Sequence, residues 1–179
     1  MKYEVRLTGS GGQGVILASV ILGAAASLHE GKFAIQSQAY GPEARGGATK
    51  SDVVISDAPI MYPKARNIDF LLCLTQKAAD KFIKTAKKGA IVVIDSDFVT
   101  LPESENYKLY KLPLSSTTME KMGRLVALNI VSLASLVEVG NIVDFEALKK
   151  AVLEKAPKGT EEFNLKAVEI GREIATKAK

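Results

Sequence analysis

The chain has 179 residues, of which 47% are hydrophobic and 25% are charged, a balance typical of a globular protein. Its net charge of +4 arises from 24 Lys and Arg against 20 Asp and Glu, without any long run of like charges, so we expect a solvated surface and no nucleic-acid face. One cysteine and one histidine exclude an internal disulfide and a self-contained zinc or iron–sulfur site, and they favour a cytoplasmic location.

The longest uncharged apolar stretch covers residues 15–28. A helix that crosses a bilayer needs about 20 such residues, which is more than this stretch provides. We therefore expect a soluble protein that does not bind a membrane.

Hydrophobic periodicity and turn residues predict strands and helices that alternate along the chain. Gly31 is expected to end the first helix, and Thr75 is expected to begin the second as its N-cap. The predicted strands cover residues 3–8, 32–37, 48–56, 68–74, 90–95 and 107–112. The predicted helices cover residues 13–30, 75–87, 123–139, 144–155 and 160–177.

The strand segments at 68–74 and 90–95 are apolar almost throughout. Strands of that kind are buried on both faces, as in a parallel sheet that is covered by helices. We therefore predict an α/β fold with a Rossmann-like, mostly parallel sheet, helices on both faces and a helical C-terminal third. No linker or repeat interrupts the chain, so we expect a single domain over residues 1–179.

Two predicted helical segments, 15–28 and 125–139, are apolar on nearly all sides. A helix of that kind must be buried all round. A domain of this size has little room to enclose two of them, so one segment would lie at a subunit contact. The alternative is that a thick helical layer covers both within the monomer, and the sequence leaves the two possibilities open.

A glycine-rich turn directly follows the first predicted strand and leads into the first helix. It reads Gly-Ser-Gly-Gly-Gln-Gly and includes Gly9, Gly11, Gly12, Gln13 and Gly14. Because glycine adopts positive φ and has no Cβ, backbone N–H groups of such a turn can converge on an anion. The positive end of the helix dipole adds to this attraction.

Three interpretations of this turn remain open. Gly9, Gly11 and Gly14 match the G-x-G-x-x-G pattern of dinucleotide sites, but residues 35–38 provide no acid for a ribose at the end of the second strand. A Walker A loop is absent from the sequence. The turn is therefore an anion site, a dinucleotide site of unusual form, or a tight structural turn without a ligand.

A second candidate loop, residues 38–47, follows the second strand, at the sheet edge where α/β proteins bind ligands. A guanidinium in this loop could bind a phosphate or a carboxylate in a bidentate manner, or could pair with the nearby glutamate. The candidate residues of this loop are Tyr40, Glu43, Arg45, Gly46 and Gly47.

Other reactive side chains give weaker signals. Asp95 and Asp97 could bind a cation but are equally typical of a turn. We interpret Cys73 as a small core residue and His29 as a residue at a helix C-terminus, where the dipole favours its charged form. We predict no catalytic residue and no metal site in this chain.

Two stretches together resemble one family. Residues 9–18, Gly-Ser-Gly-Gly-Gln-Gly-Val-Ile-Leu-Ala, and residues 38–47, Gln-Ala-Tyr-Gly-Pro-Glu-Ala-Arg-Gly-Gly, are similar to gamma subunits of 2-oxoacid:ferredoxin oxidoreductases. Residues 51–56 also resemble this family, and the sequence of the second stretch favours the 2-oxoglutarate type. Related pyruvate and ketoisovalerate oxidoreductases share this gamma-type domain.

The resemblance implies a multisubunit complex that oxidatively decarboxylates a 2-oxoacid to an acyl-CoA and reduces ferredoxin. Such complexes use thiamine diphosphate, Mg²⁺, iron–sulfur clusters and CoA. This chain has neither a Gly-Asp-Gly thiamine motif nor the cysteines for a cluster, so we expect no cofactor in it and no activity of the isolated chain. The expected partners are alpha, beta and ferredoxin-like delta subunits, with ferredoxin reached through the complex.

On this interpretation, the glycine-rich turn and the second loop face CoA or neighbouring subunits. Two alternatives remain, namely a stand-alone dinucleotide-binding dehydrogenase and a purely structural assembly module. We also expect the isolated chain to form a homodimer, because it would expose the apolar surface that its partners cover.

Overall fold

The computed structural model describes residues 1–39 and 47–179, which form six strands and six α-helices around one sheet. The strands are β1 (Lys2–Ser10), β2 (Phe33–Gln38), β3 (Ala48–Ser56), β4 (Ile68–Cys73), β5 (Ala86–Asp95) and β6 (Tyr107–Leu112). The helices are α1 (Val15–Ala24), α2 (Gln76–Phe82), α3 (Leu114–Met122), α4 (Leu128–Gly140), α5 (Phe145–Lys155) and α6 (Glu161–Ala178).

The sheet has the strand order β2-β3-β1-β4-β5-β6. Strand β1 pairs in parallel with β4, β4 with β5, and β5 with β6, so the prediction of a mostly parallel sheet is confirmed. Strand β3 lies antiparallel between β1 and β2, which the sequence analysis did not predict. The connection from β2 to β3 is too short for a crossover, and a short connection favours an antiparallel neighbour.

Helices cover both faces of the sheet, as predicted, but unequally. Helices α1, α4, α5 and α6 form the larger core cluster on one face. Helix α2 and the segment that follows β5 close a smaller cluster on the other face. The last third of the chain is helical, as expected, and supplies most of the thicker layer.

The two apolar segments differ in their surroundings. Helix α4 is buried over nearly its whole length, because α6 packs directly against it. Gly171 allows this approach, since a Cβ there would collide with the carbonyl oxygen of Val131, and its own carbonyl accepts a 2.8 Å hydrogen bond from Ser135 Oγ. Helix α1 instead leaves Ile16 43% exposed and Leu17 39% exposed.

Several predicted boundaries were wrong. The first helix begins at Val15, not at residue 13, and continues beyond α1 as a π-helical turn over Ala25–His29. The second helix was predicted to reach residue 87, but β5 already begins at Ala86. The first residues of β5 include two Lys and a Gly, which are not typical of a strand, so the sequence did not indicate its start. Thr75 does cap α2 through a hydrogen bond from the amide of Ala78.

The largest error in the helical third concerns α3. We predicted a single helix over residues 123–139, whereas α3 precedes it and a 3-10 turn over Leu125–Ala127 leads into α4. Gly123 ends α3 with a φ of 75°, a conformation in which a side chain is strained. The Ser and Thr residues of α3 concealed it in the sequence, because they favour helix interiors weakly.

None of the helices that the structure describes is both long enough and apolar enough to span a membrane.

Candidate functional site at the carboxyl edge of the sheet

The connections of β1 and β4 create a crevice at one edge of the sheet. Strand β1 continues through α1 to β2 on one side, whereas β4 and β5 extend the sheet on the other side. In open α/β sheets, ligands bind outside the carboxyl ends of strands at such a switch point. The glycine-rich turn follows β1 here, and Leu74 and Thr75 follow β4.

The conformation of the turn depends on its glycines. Gly12 and Gly14 have φ values of 88° and 74°, so both occupy the left-handed region. The side chain of Gln13 folds back into the turn, where its Oε1 accepts a 2.7 Å hydrogen bond from the backbone N–H of Ser10. Gln13 therefore shapes the turn as well as lining the crevice. Gly9 belongs to β1, and Gly11 is an exposed residue of the turn.

Helix α1 begins at this turn without a capping side chain. Gly14 is its N-cap residue and makes no side-chain hydrogen bond to the first turn of the helix. The first N–H groups of a helix have no intrahelical partner, and the helix dipole places partial positive charge beside them. The start of α1 can therefore attract an anionic group.

Asn129 in α4 contacts the glycine-rich turn at Gly14. The sequence did not indicate this residue as part of the site. A Cβ on Gly14 would lie 2.5 Å from Asn129 Nδ2, so only glycine fits between them. Asn129 Nδ2 also donates a 3.4 Å hydrogen bond to the Gly14 carbonyl. The two residues are far apart in the chain, and no local pattern signals their contact.

A cavity of about 670 Å³ lies in the crevice, and we call it the crevice cavity. Its walls combine the turn with exposed apolar side chains, of which Phe98 is 63% and Val126 68% exposed. The lining residues relevant here are Gly12, Gln13, Thr75, Phe98, Leu125 and Val126. Polar backbone on one side and apolar side chains on the other are typical of small-molecule or partner sites.

The second candidate loop is only partly described. Tyr40, Glu43, Arg45 and Gly46 lie outside the described residues. Ala48 pairs with Ser10, so Gly47 lies at the same sheet edge as the turn. Gly47 lines a separate hollow of about 490 Å³ together with three residues of α2, which are Lys77, Asp80 and Lys81.

A hydroxyl and amide network joins α1 to β2 and β3 next to this edge. Ser19 Oγ and Ser51 Oγ are 2.6 Å apart, and Gln36 Nε2 donates to them at 3.1 and 2.8 Å. Gln36 Nε2 also lies 3.2 Å from Gln38 Oε1, at the end of β2. The network fixes the end of β2 relative to α1, and it escaped the sequence analysis because its members are distant in the chain.

A buried ion pair connects β1 to β3 at the middle of the sheet. Arg6 Nε and Nη2 donate to the two carboxylate oxygens of Asp52 at 2.7 and 2.8 Å. The guanidinium also lies 5.5 Å from the ring centre of Phe82, and Lys50 Nζ approaches Asp52 at 3.2 Å. The bidentate pair holds the antiparallel strand in register, and so sets where β3 begins beside the turn.

Asp95 and Asp97 lie at the turn after β5, and their carboxylates accept hydrogen bonds from the first amides of α3. The amides of Leu114 and Ser115 donate to Asp95 Oδ1, and the amide of Ser116 donates to Asp97 Oδ2 at 2.7 Å. Burial raises the pKa of Asp95 above its ordinary value. Among the described residues, no group of His, Cys, Asp and Glu is arranged to hold a metal ion.

Cys73 and His29 occupy structural positions. Cys73 is buried in β4, and desolvation raises the pKa of its thiol to about 12, so a reactive thiolate is disfavoured. His29 lies in the π-helical turn, with Nε2 3.2 Å from Glu154 Oε1 in α5. Neither residue lines the crevice cavity, in line with their interpretation as structural residues.

Comparison with known proteins identifies the family. A family model described as pyruvate ferredoxin/flavodoxin oxidoreductase matches residues 4–174. The chain belongs to this family. The oxidoreductase relatives include the 2-oxoglutarate synthase subunit KorC of Methanocaldococcus jannaschii, which is 49% identical over 98% of this chain and 95% of its own length. The KorC subunit of Methanothermobacter thermautotrophicus is 41% identical over 97% and 95% of the two chains.

A solved structure of the oxidoreductase family has the same fold. The gamma subunit of a keto/oxoacid ferredoxin oxidoreductase from Geobacter sulfurreducens is 44% identical to this chain, with a TM-score of 0.92. The match covers 100% of this chain and 99% of the Geobacter subunit. The mixed sheet, including its antiparallel strand, is therefore the fold of a gamma subunit, which confirms the predicted family and fold class.

Proposed function

We propose that this chain is the gamma subunit of a complex that oxidatively decarboxylates 2-oxoglutarate to an acyl-CoA and transfers the electrons to ferredoxin. One observation carries this proposal, the 49% identity to a 2-oxoglutarate synthase subunit over nearly the full length of both chains. The chain contributes to the oxidoreductase as a non-catalytic subunit. A stand-alone dinucleotide-binding dehydrogenase is disfavoured, because residues 35–38 contain no acid for a ribose.

The cofactors belong to other subunits in this proposal. Thiamine diphosphate, Mg²⁺ and the iron–sulfur clusters are held by the alpha, beta and ferredoxin-like delta subunits, and ferredoxin docks on the complex. The single Cys73 supports this, because clusters are held by several thiolates. We further propose that residues 1–179 form one gamma-type domain and function in the cytoplasm.

The glycine-rich turn and the second loop form the proposed site. The uncapped start of α1 and the crevice cavity support a role for the turn in binding an anionic group of CoA or a neighbouring subunit. Arg45 would supply a guanidinium from the second loop. The proposed site residues are Gly9, Gly11, Gly12, Gln13, Gly14, Tyr40, Glu43, Arg45, Gly46 and Gly47.

Reconstitution tests the function. The chain is produced together with the three partner subunits, and CoA-dependent reduction of ferredoxin is followed with 2-oxoglutarate, pyruvate and 2-oxoisovalerate in turn. We expect turnover with 2-oxoglutarate to exceed turnover with the other acids and to disappear when this chain is omitted. Turnover by the isolated chain, or a preference for pyruvate, would contradict the proposal.

The site is tested by Arg45→Ala in the reconstituted complex. If Arg45 binds CoA, the KM for CoA rises by about tenfold to a hundredfold, since a charge-assisted hydrogen bond contributes about 1.5–3 kcal/mol. Arg66→Ala, at an exposed arginine on the opposite edge of the sheet, is the matched control and should leave the KM unchanged. An unchanged KM in Arg45→Ala with intact assembly would exclude this role.

A further inference from the structure

A second cavity, of about 370 Å³, opens between α1, α4, α5 and α6. We call it the helical socket. Its walls are largely apolar and include Leu17, Ile130, Val152 and Phe163. Its small volume suits one large side chain or a small ligand.

Arg124 lies at the helical socket, where its side chain approaches the ring of Phe163. Its Cζ is 5.1 Å from the ring centre of Phe163, and within residues 1–39 and 47–179 it forms no ion pair. Arg172 makes the same kind of contact with Phe145, at 4.4 Å, but its Nε also lies 3.4 Å from Glu138. Among the described residues, Arg172 therefore has a carboxylate beside its aromatic contact, whereas Arg124 has the aromatic contact alone.

The rim of the helical socket continues into the crevice cavity. Val126 lines both cavities and is 68% exposed, with Leu125 next to it in the chain 42% exposed. A small ligand confined to the helical socket would leave Leu125 and Phe98 in water. A protein surface would cover the apolar residues of both cavities at once, so the continuity of this surface favours a protein partner.

We propose that the helical socket receives an apolar side chain of a partner subunit, with a carboxylate beside it that pairs with Arg124. This inference rests on the proposed function, because it assumes a complex with other subunits. Docking removes water from Arg124, and a guanidinium that is buried without a counter-charge is costly, so the partner must supply an acid. An apolar anchor in a pocket that is rimmed by a charge pair is typical of the residues that dominate interface energies.

Two variants test the docking surface in the co-expressed complex. Val126→Asp places a carboxylate in the apolar rim, and Arg124→Glu opposes the partner's acid. We expect each to weaken association with the other subunits by about tenfold or more, measured as the concentration at which the complex dissociates. The matched controls are Leu28→Asp and Arg66→Glu, and both variants should assemble normally. Leu28 is 65% exposed and lies in the π-helical turn, outside the lining of both cavities.

The outcomes separate this inference from the proposed function. If the wild-type chain does not assemble with the partner subunits, the proposed function fails and the inference fails with it. If the wild-type chain assembles and both variants assemble equally well, only the inference is overturned. Circular dichroism and thermal unfolding of each variant verify the fold, and because Val126 and Arg124 are exposed we expect at most a small change in either.

Two other occupants of the helical socket are also tested. Titration of the isolated chain with 4-phenylbutyrate, followed by NMR, tests a small carboxylate ligand, and saturable binding with unaffected assembly of both variants would overturn the inference. Light scattering tests a second copy of this chain. Loss of a homodimer in Val126→Asp without loss of the complex would likewise overturn it.

Discussion

Helices α1 and α4 are the two most apolar helices of the chain, yet they have different surroundings. Helix α4 lies inside the helical layer, where α6 approaches it closely at Gly171. Helix α1 starts at the candidate site and exposes Ile16 and Leu17. Apolar composition therefore has two outcomes in this protein, because α4 is packed within the chain whereas the start of α1 remains partly exposed.

The alternative to a subunit contact was a thick helical layer that covers both apolar segments, and the layer covers only one of them. A thick helical layer covers α4 within the monomer, whereas α1 is covered only in part. The exposed part of α1 lies beside the glycine-rich turn, which we propose faces CoA or a neighbouring subunit. Substitutions in the two helices should therefore separate stability from assembly.

The largest effect is expected in α4. Leu133 is fully buried, so Leu133→Ala should lower the free energy of unfolding by about 2–5 kcal/mol through lost burial and a residual cavity. Leu17→Ala in α1 is the matched control and should change it by only about 0.5 kcal/mol. Urea denaturation of both variants provides the measurement, and equal losses would contradict the difference between the helices.

The contact between α4 and α6 should be nearly as sensitive. In Gly171→Ala the new Cβ meets the Val131 carbonyl oxygen and lies 2.8 Å from the Cβ of Ala134, so the helices must separate. We expect a loss of about 1–3 kcal/mol, measured by urea denaturation. Lys166→Ala, at an exposed position of α6, should have almost no effect. A stable Gly171→Ala variant would show that α6 adjusts freely on α4.

An intermediate effect is expected where α1 meets the sheet. Ser51→Ala removes the hydroxyl that lies 2.6 Å from Ser19 Oγ and 2.8 Å from Gln36 Nε2, and should cost about 1–2 kcal/mol. A double-mutant cycle with Ser19→Ala should give a non-additive result, because the two hydroxyls share partners. Ser132→Ala is the control, since that hydroxyl donates to the carbonyl of Leu128 in its own helix and has no other hydrogen-bond partner among the described residues. Additive losses would contradict a shared network.

The smallest effect on stability is expected at the exposed face of α1. Ile16→Ser should leave the free energy of unfolding within about 0.5 kcal/mol of the wild-type value. We expect the same variant to weaken homodimer formation by the isolated chain, because it removes exposed apolar surface. Light scattering at increasing protein concentration provides the measurement. A wild-type chain that remains monomeric throughout would contradict the predicted self-association.

The sequence determined the fold class and the position of the glycine-rich turn. Residues 70–74 and 90–94 are apolar throughout, which indicates strands that are buried on both faces without any knowledge of the fold. The turn could be located because glycine at positive φ leaves a local signature, and Gly12 and Gly14 do adopt that conformation. The apolar strand segments and the glycine-rich turn are each formed by residues that are adjacent in the chain, so a sequence pattern can indicate them.

Only the tertiary structure decided what surrounds these elements. It placed β3 antiparallel beside β1, Asn129 beneath Gly14, and Ser51 against Ser19. It also decided that α6 covers α4 whereas α1 remains partly exposed. The physical reason is that each of these contacts joins residues far apart in the chain, so its energy depends on the packing of the whole sheet and helical layer.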